Sequence, residues 1–400
     1  MTAPISVIGI DDRPLAAQAC RRLEAATLVL GAARHLRGCD VPSAAEQVVL
    51  GDVTAALDRL ATHAGPAVIL ASGDPGFFGV VRLLHARGLA FEVFPAASSV
   101  STLCARAGVG WDDAIVMSAH GRGDAGLRRA VNACRAHPKV AVLTAPGSGP
   151  AELGAALAGH RTTMLVGERL GTPDEQLTTC SPAEASARAW AEPNVVLVHD
   201  DAGSERGWAH PGRQVPPGWA LGEDSFEHRD SMVTKAEVRA LVLARLAPGL
   251  GDLVWDIGCG SGSVAIECAR FGAAVSAVDA DPEQADRTAR NAAAHQVRVH
   301  VVTGRAPEAL SDLDDPDAVF IGGGGVDLAA ITQTAAARKP RVIVAALAAL
   351  ERVAAVTSAL RSNGFQPDGV QLSAARLAPL PGDATRLDAQ NPVFVLWGER

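Results

Sequence analysis

Tyrosine is absent from the 400 residues, and lysine occurs only at positions 139, 235 and 339, so arginine carries nearly all the basic charge. A genome rich in G and C would favour arginine codons; a function reading carboxylates would also favour it, because the guanidinium fork binds them bidentately. Composition does not separate the two. Basic residues number 36 against 44 acidic ones, a net charge of −8, which argues against a general nucleic-acid surface. The seven cysteines are odd in number and form no CxxC pair, so neither a disulfide framework nor a zinc site is expected. A reducing cytoplasm suits such a chain. No apolar run reaches the roughly 18 residues of a membrane helix. The opening "MTAPISVIGIDD" lacks the charged and long apolar regions of a signal peptide. No membrane and no nucleic-acid partner are therefore expected.

What is present is ample apolar material, 48% of residues, over a length that suits two or three domains. Short β-like runs alternate with Ala- and Arg-rich helical stretches. Ile5–Ile10, Pro66–Ala71, Lys139–Thr144, Asn194–His199, Asp252–Ile257, Ala274–Asp279, Val297–Val302, Asp317–Gly322 and Arg341–Ala346 read as strands. Buried parallel strands alternating with helices indicate α/β architecture. Asp200–Arg229 breaks the rhythm with closely spaced Gly and Pro, which suits a linker. The expected division is a domain over 1–205, a linker over 206–228 and a domain over 229–400.

In the second half, "WDIGCGSGSVAIECA" joins a strand ending at Asp256 to a turn with Gly258, Gly260 and Gly262, then a helix. Such glycines let the backbone approach a ligand closely. The spacing is GxGxG with Ser263 where a dinucleotide site has glycine, which favours S-adenosylmethionine. Asp279 ends the next strand, 21 residues after Gly258, where an acid can accept hydrogen bonds from both ribose hydroxyls. Together with "MVTKAEVRAL", "GRAPEAL", "DAVFIGGGG" and "NPVFVLWG", this half resembles class I methyltransferases of the precorrin-6B C15-methyltransferase (decarboxylating) type. The resemblance implies a Rossmann-like, seven-stranded domain whose cofactor contacts are Thr234, Asp256, Gly258, Gly260, Gly262, Asp279 and Ala306. Lys235, Glu237 and His228 are the candidates for delivering a proton after decarboxylation. Arg229 and Arg239 are the candidates for holding substrate carboxylates. Two departures stand out: Arg305 where relatives often have Asp, and Ala346–Ala349 where they often read "NAVT".

Judged singly, the pieces of the first half are ordinary: a Gly-Asp-Pro-Gly turn at Gly73–Gly76, serines able to cap a helix at Ser98 and Ser99, and a loop histidine at His120. In order, "SGDPGFFG", "AASSVSTLCARAGVGWDDA", "SAHGR" and "VGERLGTPDE" resemble the tetrapyrrole (corrin and porphyrin) methylase family, in the branch acting on carbon 5 of precorrin-7. That resemblance implies a two-lobed α/β fold, with Gly73, Asp74, Ser98 and Ser99 at the cofactor. The "GIDDRP" loop, with Asp11, would face the tetrapyrrole. It departs from the family's GxGPG-like stretch, having Gly9 alone.

Both halves fused in this order resemble the precorrin-6Y C5,15-methyltransferase (decarboxylating) family. The resemblance implies S-adenosylmethionine as cofactor, a precorrin as substrate, no metal, cobalamin biosynthesis as the setting and self-association into a homo-oligomer. The alternatives are a C-terminal half that methylates RNA or protein, and a non-catalytic protein that binds S-adenosylmethionine or a tetrapyrrole.

Overall fold

Six consecutive buried residues, Ile5–Ile10, demand a strand covered on both faces. The computed structural model, which describes residues 5–51, 53–119, 123–200, 218–229 and 233–400, places that strand in a parallel sheet. It is β1, joined by β2 (Leu28–Gly31), β3 (Glu46–Val49), β4 (Ala67–Ser72) and β5 (Phe91–Phe94) in the order β3-β2-β4-β1-β5. Alternate residues feed two cores. Val7, Leu30 and Ile69 pack with Leu57 and Leu84, whereas Ile8, Val29 and Val68 pack with Leu23 and Leu36. Because β1 lies between β4 and β5, the loops after these three strands leave the sheet side by side at its carboxyl edge. Open α/β sheets bind ligands at such a point.

A second five-stranded sheet contains β6 (Ile115–Ser118), β7 (Lys139–Leu143), β8 (Thr163–Glu168), β9 (Gln176–Cys180) and β10 (Asn194–His199) in the order β6-β7-β10-β8-β9. Here β8 pairs antiparallel with both β10 and β9. Val100, Leu103 and Cys104 of the helix Ser99–Ala107 pack on Ala141, Leu165 and Leu197.

The third sheet has seven strands: β11 (Leu253–Ile257), β12 (Ala274–Asp279), β13 (His300–Thr303), β14 (Ala318–Ile321), β15 (Val342–Leu347), β16 (Gln366–Leu372) and β19 (Val393–Glu399), with a hairpin of β17 (Ala375–Pro379) and β18 (Thr385–Ala389) beside it in sequence. The order is β13-β12-β11-β14-β15-β19-β16; β11 to β15 run parallel and β19 runs against its neighbours. Leu253, Trp255 and Ile257 face helices Leu328–Ala337 and Glu351–Ser362, and Val254 faces helices Ala236–Leu246 and Ser263–Arg270. The strand expected over Val297–Val302 begins later, at His300. The Val297 amide closes the preceding helix by donating to the Ala292 carbonyl, and Val297 packs toward Phe226 and Ile266. Contacts within the chain define two compact units, residues 1–123 with 141–203, and 124–140 with 204–400. His120, Met232 and residues 206–217 of the expected linker lie outside the described residues. Among the described residues no helix is long and apolar enough to cross a membrane.

Arg239 departs from the sequence expectation. It is fully buried, and its guanidinium donates to Glu267 Oε1 at 3.2 Å and to the carbonyls of Thr234 and Leu221. Its charge is therefore committed inside the fold rather than offered to substrate carboxylates. Glu267, equally buried, also accepts from the Leu221 amide at 2.8 Å, the Ala220 amide at 3.2 Å and Arg270 at 3.3 Å. Removing one partner would leave the other charge buried and uncompensated. Glu267→Ala or Arg239→Met is expected to cost about 3–5 kcal/mol in urea unfolding. A loss below about 1 kcal/mol would show that the pair is not an anchor.

Candidate functional site

The carboxyl ends of β11, β12, β13 and β14 meet around one glycine turn. Gly258, Gly260 and Gly262 have φ of 72°, 57° and 72°, a left-handed conformation that penalises any Cβ. Their neighbours differ. A Cβ at Gly258 would meet Gly323 backbone at 2.9 Å, and one at Gly262 would meet Thr288 at 2.6 Å. At Gly260 a Cβ would meet nothing within 4 Å, so this glycine borders open space. The first and third glycines allow the fold to close; the middle one leaves room above the turn.

Two acids sit beside it. Asp279 Oδ2 accepts from the Gly260 amide at 2.9 Å and its Oδ1 from the Asp281 amide at 3.0 Å, so the carboxylate shapes the turn. A carboxylate has further lone-pair sites, which keep it able to accept from a ligand. Asp256 is buried beneath the turn, with Oδ2 accepting from the Ala265 amide at 2.9 Å and Oδ1 buried without a partner among the described residues. Burial, reinforced by the Asp279 charge, pushes its carboxyl up to about 7. Gly304 donates its amide to the Asp279 carbonyl at 2.8 Å, which brings Arg305 and Ala306 alongside. Arg305 pairs with Asp327, so this departure is satisfied on the rim. Ala346 packs with the apolar face that holds Val242.

The proton-donor candidates sit differently. Lys235 occupies the N-cap position of the helix Ala236–Leu246 and Thr234 precedes it; both are half-buried. The Thr234 carbonyl is held by Arg239, and the Ala236 amide donates to Glu223 at 2.8 Å. Glu237 is bound by Arg376 at 2.6 Å and 2.9 Å, which holds its carboxyl below the ordinary range. That corrects the expectation of a proton donor: at neutral pH this group is ionised. His228 is half-buried, with Nδ1 lacking a partner among the described residues, and Arg229 lies 3.7 Å from Asp281.

Sequence reasoning missed Thr288 and Asn291, which lie three apart on one helical face. Thr288 donates to the Gly260 carbonyl at 3.0 Å. Asn291 donates to the Ser261 and Glu227 carbonyls at 2.9 Å and 2.8 Å, docking the 227–229 segment on the turn. Their spacing was the available signal, but polar residues on a helix usually face water.

In the first half, Gly9 is the point of closest backbone approach. A Cβ there would meet the Gly73 carbonyl at 2.4 Å and the Ala96 amide at 2.7 Å. Gly73, at φ 60°, donates to the Ile10 carbonyl at 2.7 Å and lies against Ala97 and Ser98. Asp11 accepts from the Ala97 amide at 3.2 Å and pairs with Arg13. Ser98 caps the helix Ser99–Ala107 by accepting from the Ser101 amide at 3.1 Å. Asp74 accepts from the Gly76 amide at 2.8 Å, as a turn aspartate does. Gly9, Asp11, Gly73 and Ser98 thus converge at the carboxyl edge of β1, β4 and β5.

Asp256 generates a test. Its ordinary carboxyl value is 3.8, and in the fold it rises to about 7. Between those values the folded state holds the extra proton, so this group's contribution makes stability fall as pH rises through about 4 to 7. Glu223, held near 2 by Arg376, contributes stability that is lost as pH falls from its ordinary 4.5 toward 2, equally in parent and variant. Asp256→Asn is expected to flatten the slope, with a gain on the order of 4 kcal/mol relative to the parent at pH 8 against pH 4, read from urea midpoints. Equal slopes in both proteins would contradict this.

A family described as tetrapyrrole (corrin/porphyrin) methylases matches residues 8–186, and one described as a precorrin methyltransferase domain matches residues 224–398. A precorrin-6Y C(5,15)-methyltransferase [decarboxylating] from Sinorhizobium sp is 35% identical over 80% of this chain and 78% of its own length. The protein of that name from Mycobacterium tuberculosis is 30% identical over 76% of this chain and 75% of its own. A probable cobalt-precorrin-6B C(15)-methyltransferase (decarboxylating) from Pyrobaculum calidifontis is 39% identical over 44% of this chain and 92% of its own. With glycine-lined sites at the carboxyl edges of two parallel sheets and relatives that span most of its length, the chain belongs to the precorrin-6Y C(5,15)-methyltransferase (decarboxylating) family.

Proposed function

We propose that this methyltransferase adds methyl groups to carbons 5 and 15 of a precorrin and removes carbon dioxide from the ring C acetate, in cobalamin biosynthesis. The observation that carries this reading is the turn at Gly258–Gly262, open above Gly260 and flanked by Asp279 and by the unpartnered Oδ1 of Asp256. These residues fit S-adenosylmethionine, with Asp279 accepting from ribose hydroxyls and Gly260 giving backbone access. The cofactor, when bound, supplies a methyl group on an electrophilic sulfonium.

What remains for the chain is alignment, since a bridging carbon of a reduced tetrapyrrole is already nucleophilic and catalysis reduces to proximity and orientation. Residues 229–400 are assigned the C15 reaction as a class I domain, residues 1–205 the C5 reaction as a two-lobed methylase, and residues 206–228 the link. In the second half the Thr234–Lys235 backbone is held from both sides, by Arg239 and by Glu223. Lys235 and His228 are the proposed sources of the proton that replaces carbon dioxide. In the first half Gly73, Asp74, Ser98 and Ser99 line the cofactor side, and Asp11 with the Gly9 loop faces substrate. The C-terminal half acts first, because its decarboxylated product resembles the precorrin that the other half takes.

Mass spectrometry of precorrin-6B incubated with the protein and S-adenosylmethionine is expected to show two added methyl groups and loss of one carbon dioxide. No change, with the cofactor bound in calorimetry, would overturn the substrate. Asp279→Ala is expected to weaken one of two cofactor-binding events by about tenfold or more, since two hydrogen bonds are lost. An unchanged titration would remove Asp279 from the site.

A further inference from the structure

Among the described residues, three arginines of the first half are neutralised by carboxylates. Arg13 pairs with Asp11, Arg106 with Glu175 and Arg169 with Asp174. Arg34 is different. It follows β2 in the short helix Ala33–Gly38 and is exposed. Its Nη2 donates to Ser72 Oγ at 2.7 Å and its Nε to His35 Nε2 at 3.2 Å. Both acceptors are neutral, and among the described residues no carboxylate pairs with it.

His35 makes the arrangement specific. It is 7% exposed, and its Nε2 lies 3.3 Å from Ser72 Oγ as well as accepting from Arg34. An imidazole nitrogen that accepts from a guanidinium must be unprotonated. Burial first, then the Arg34 charge, lowers the affinity of this ring for a proton. Its Nδ1 is buried beside the Leu70 backbone. A buried neutral histidine and a strand-end serine thus orient one arginine that no carboxylate among the described residues pairs with. The guanidinium has five N–H donors, and only two are used here.

The location matters as much as the charge. Ser72 ends β4, pairs in register with Ile10 of β1 and is followed by Gly73. Arg34 is therefore tied to the carboxyl edge of the sheet through Ser72, the residue just before the glycine that meets Ala97 and Ser98. A planar, weakly hydrated fork held at such an edge matches a carboxylate in bidentate fashion.

We propose that Arg34, oriented by His35 and Ser72, binds a peripheral carboxylate of the tetrapyrrole during the first-half methylation. This assignment rests on the reading of that half as the C5 methylase. Arg34 is a binding residue that sets specificity for an acidic macrocycle; His35 and Ser72 are positioning residues acting through it.

The test is steady-state kinetics of the full chain with precorrin-6B, following both methyl additions by mass spectrometry. In the parent, both methyl groups appear; if the second never appears, the C5 reading fails and this assignment with it. Given both, Arg34→Met is expected to raise the KM of the second addition about tenfold to a hundredfold, with kcat within about threefold, because a charge-assisted contact is lost. Arg34→Lys is expected to restore part of it, since charge is kept without the fork. The first addition, carried out by the other half, controls for the amount of active chain, and a parent-like urea midpoint of Arg34→Met controls for folding of the first half. An unchanged KM in Arg34→Met, or an equal fall of kcat for both additions, overturns the assignment.

Discussion

The second half of the molecule depends on one ion pair excluded from water. Glu267 and Arg239 are both fully buried, and between them they engage the amides of Ala220 and Leu221 and the carbonyls of Leu221 and Thr234. The Arg239 guanidinium also lies 4.8 Å from the centre of the Phe226 ring. An irregular segment rich in backbone polar groups is thereby fastened to a helix that starts at the glycine turn. Taking two charges out of water is costly, and the cost is met only because nearly every donor and acceptor finds a partner. The placement of Thr234 and Lys235 follows from that satisfaction rather than from apolar packing.

The two candidate sites obey the same physical rule, each in its own sheet. Each lies at the carboxyl edge of parallel strands, where loops diverge and backbone groups are free to meet a ligand. Each uses glycine where two backbones approach too closely for a Cβ: Gly9 against Gly73 in one, Gly258 against Gly323 in the other. The acids have separate duties. Asp279 shapes the turn from the rim, whereas Asp256 is held below it in a medium that disfavours its charge.

The strands most legible in the sequence were buried on both faces, because a continuous apolar run has few alternatives. Ile5–Ile10, Asn194–His199 and Ala274–Asp279 appear with the expected bounds. Edge and hairpin strands were not legible. β16 carries Pro367 and Gly369, and β18 is largely exposed, so neither shows the apolar pattern that marks a strand. Their existence depends on pairing with β19 and β17, which are distant or turned back in the chain.

Sequence alone determined the α/β class, the glycine turn with its strand-end acid and the likeness of each half to a methylase family, because these rest on local spacing and on the order of motifs. Tertiary structure decided what the charged side chains do. Arg239, read as a candidate for substrate carboxylates, is an internal tie; Glu237, read as a proton donor, is ionised beside Arg376; Arg34, unremarkable in sequence, has no carboxylate partner among the described residues. The reason is physical: a charge is defined by its burial and its partners, and those partners lie far away along the chain.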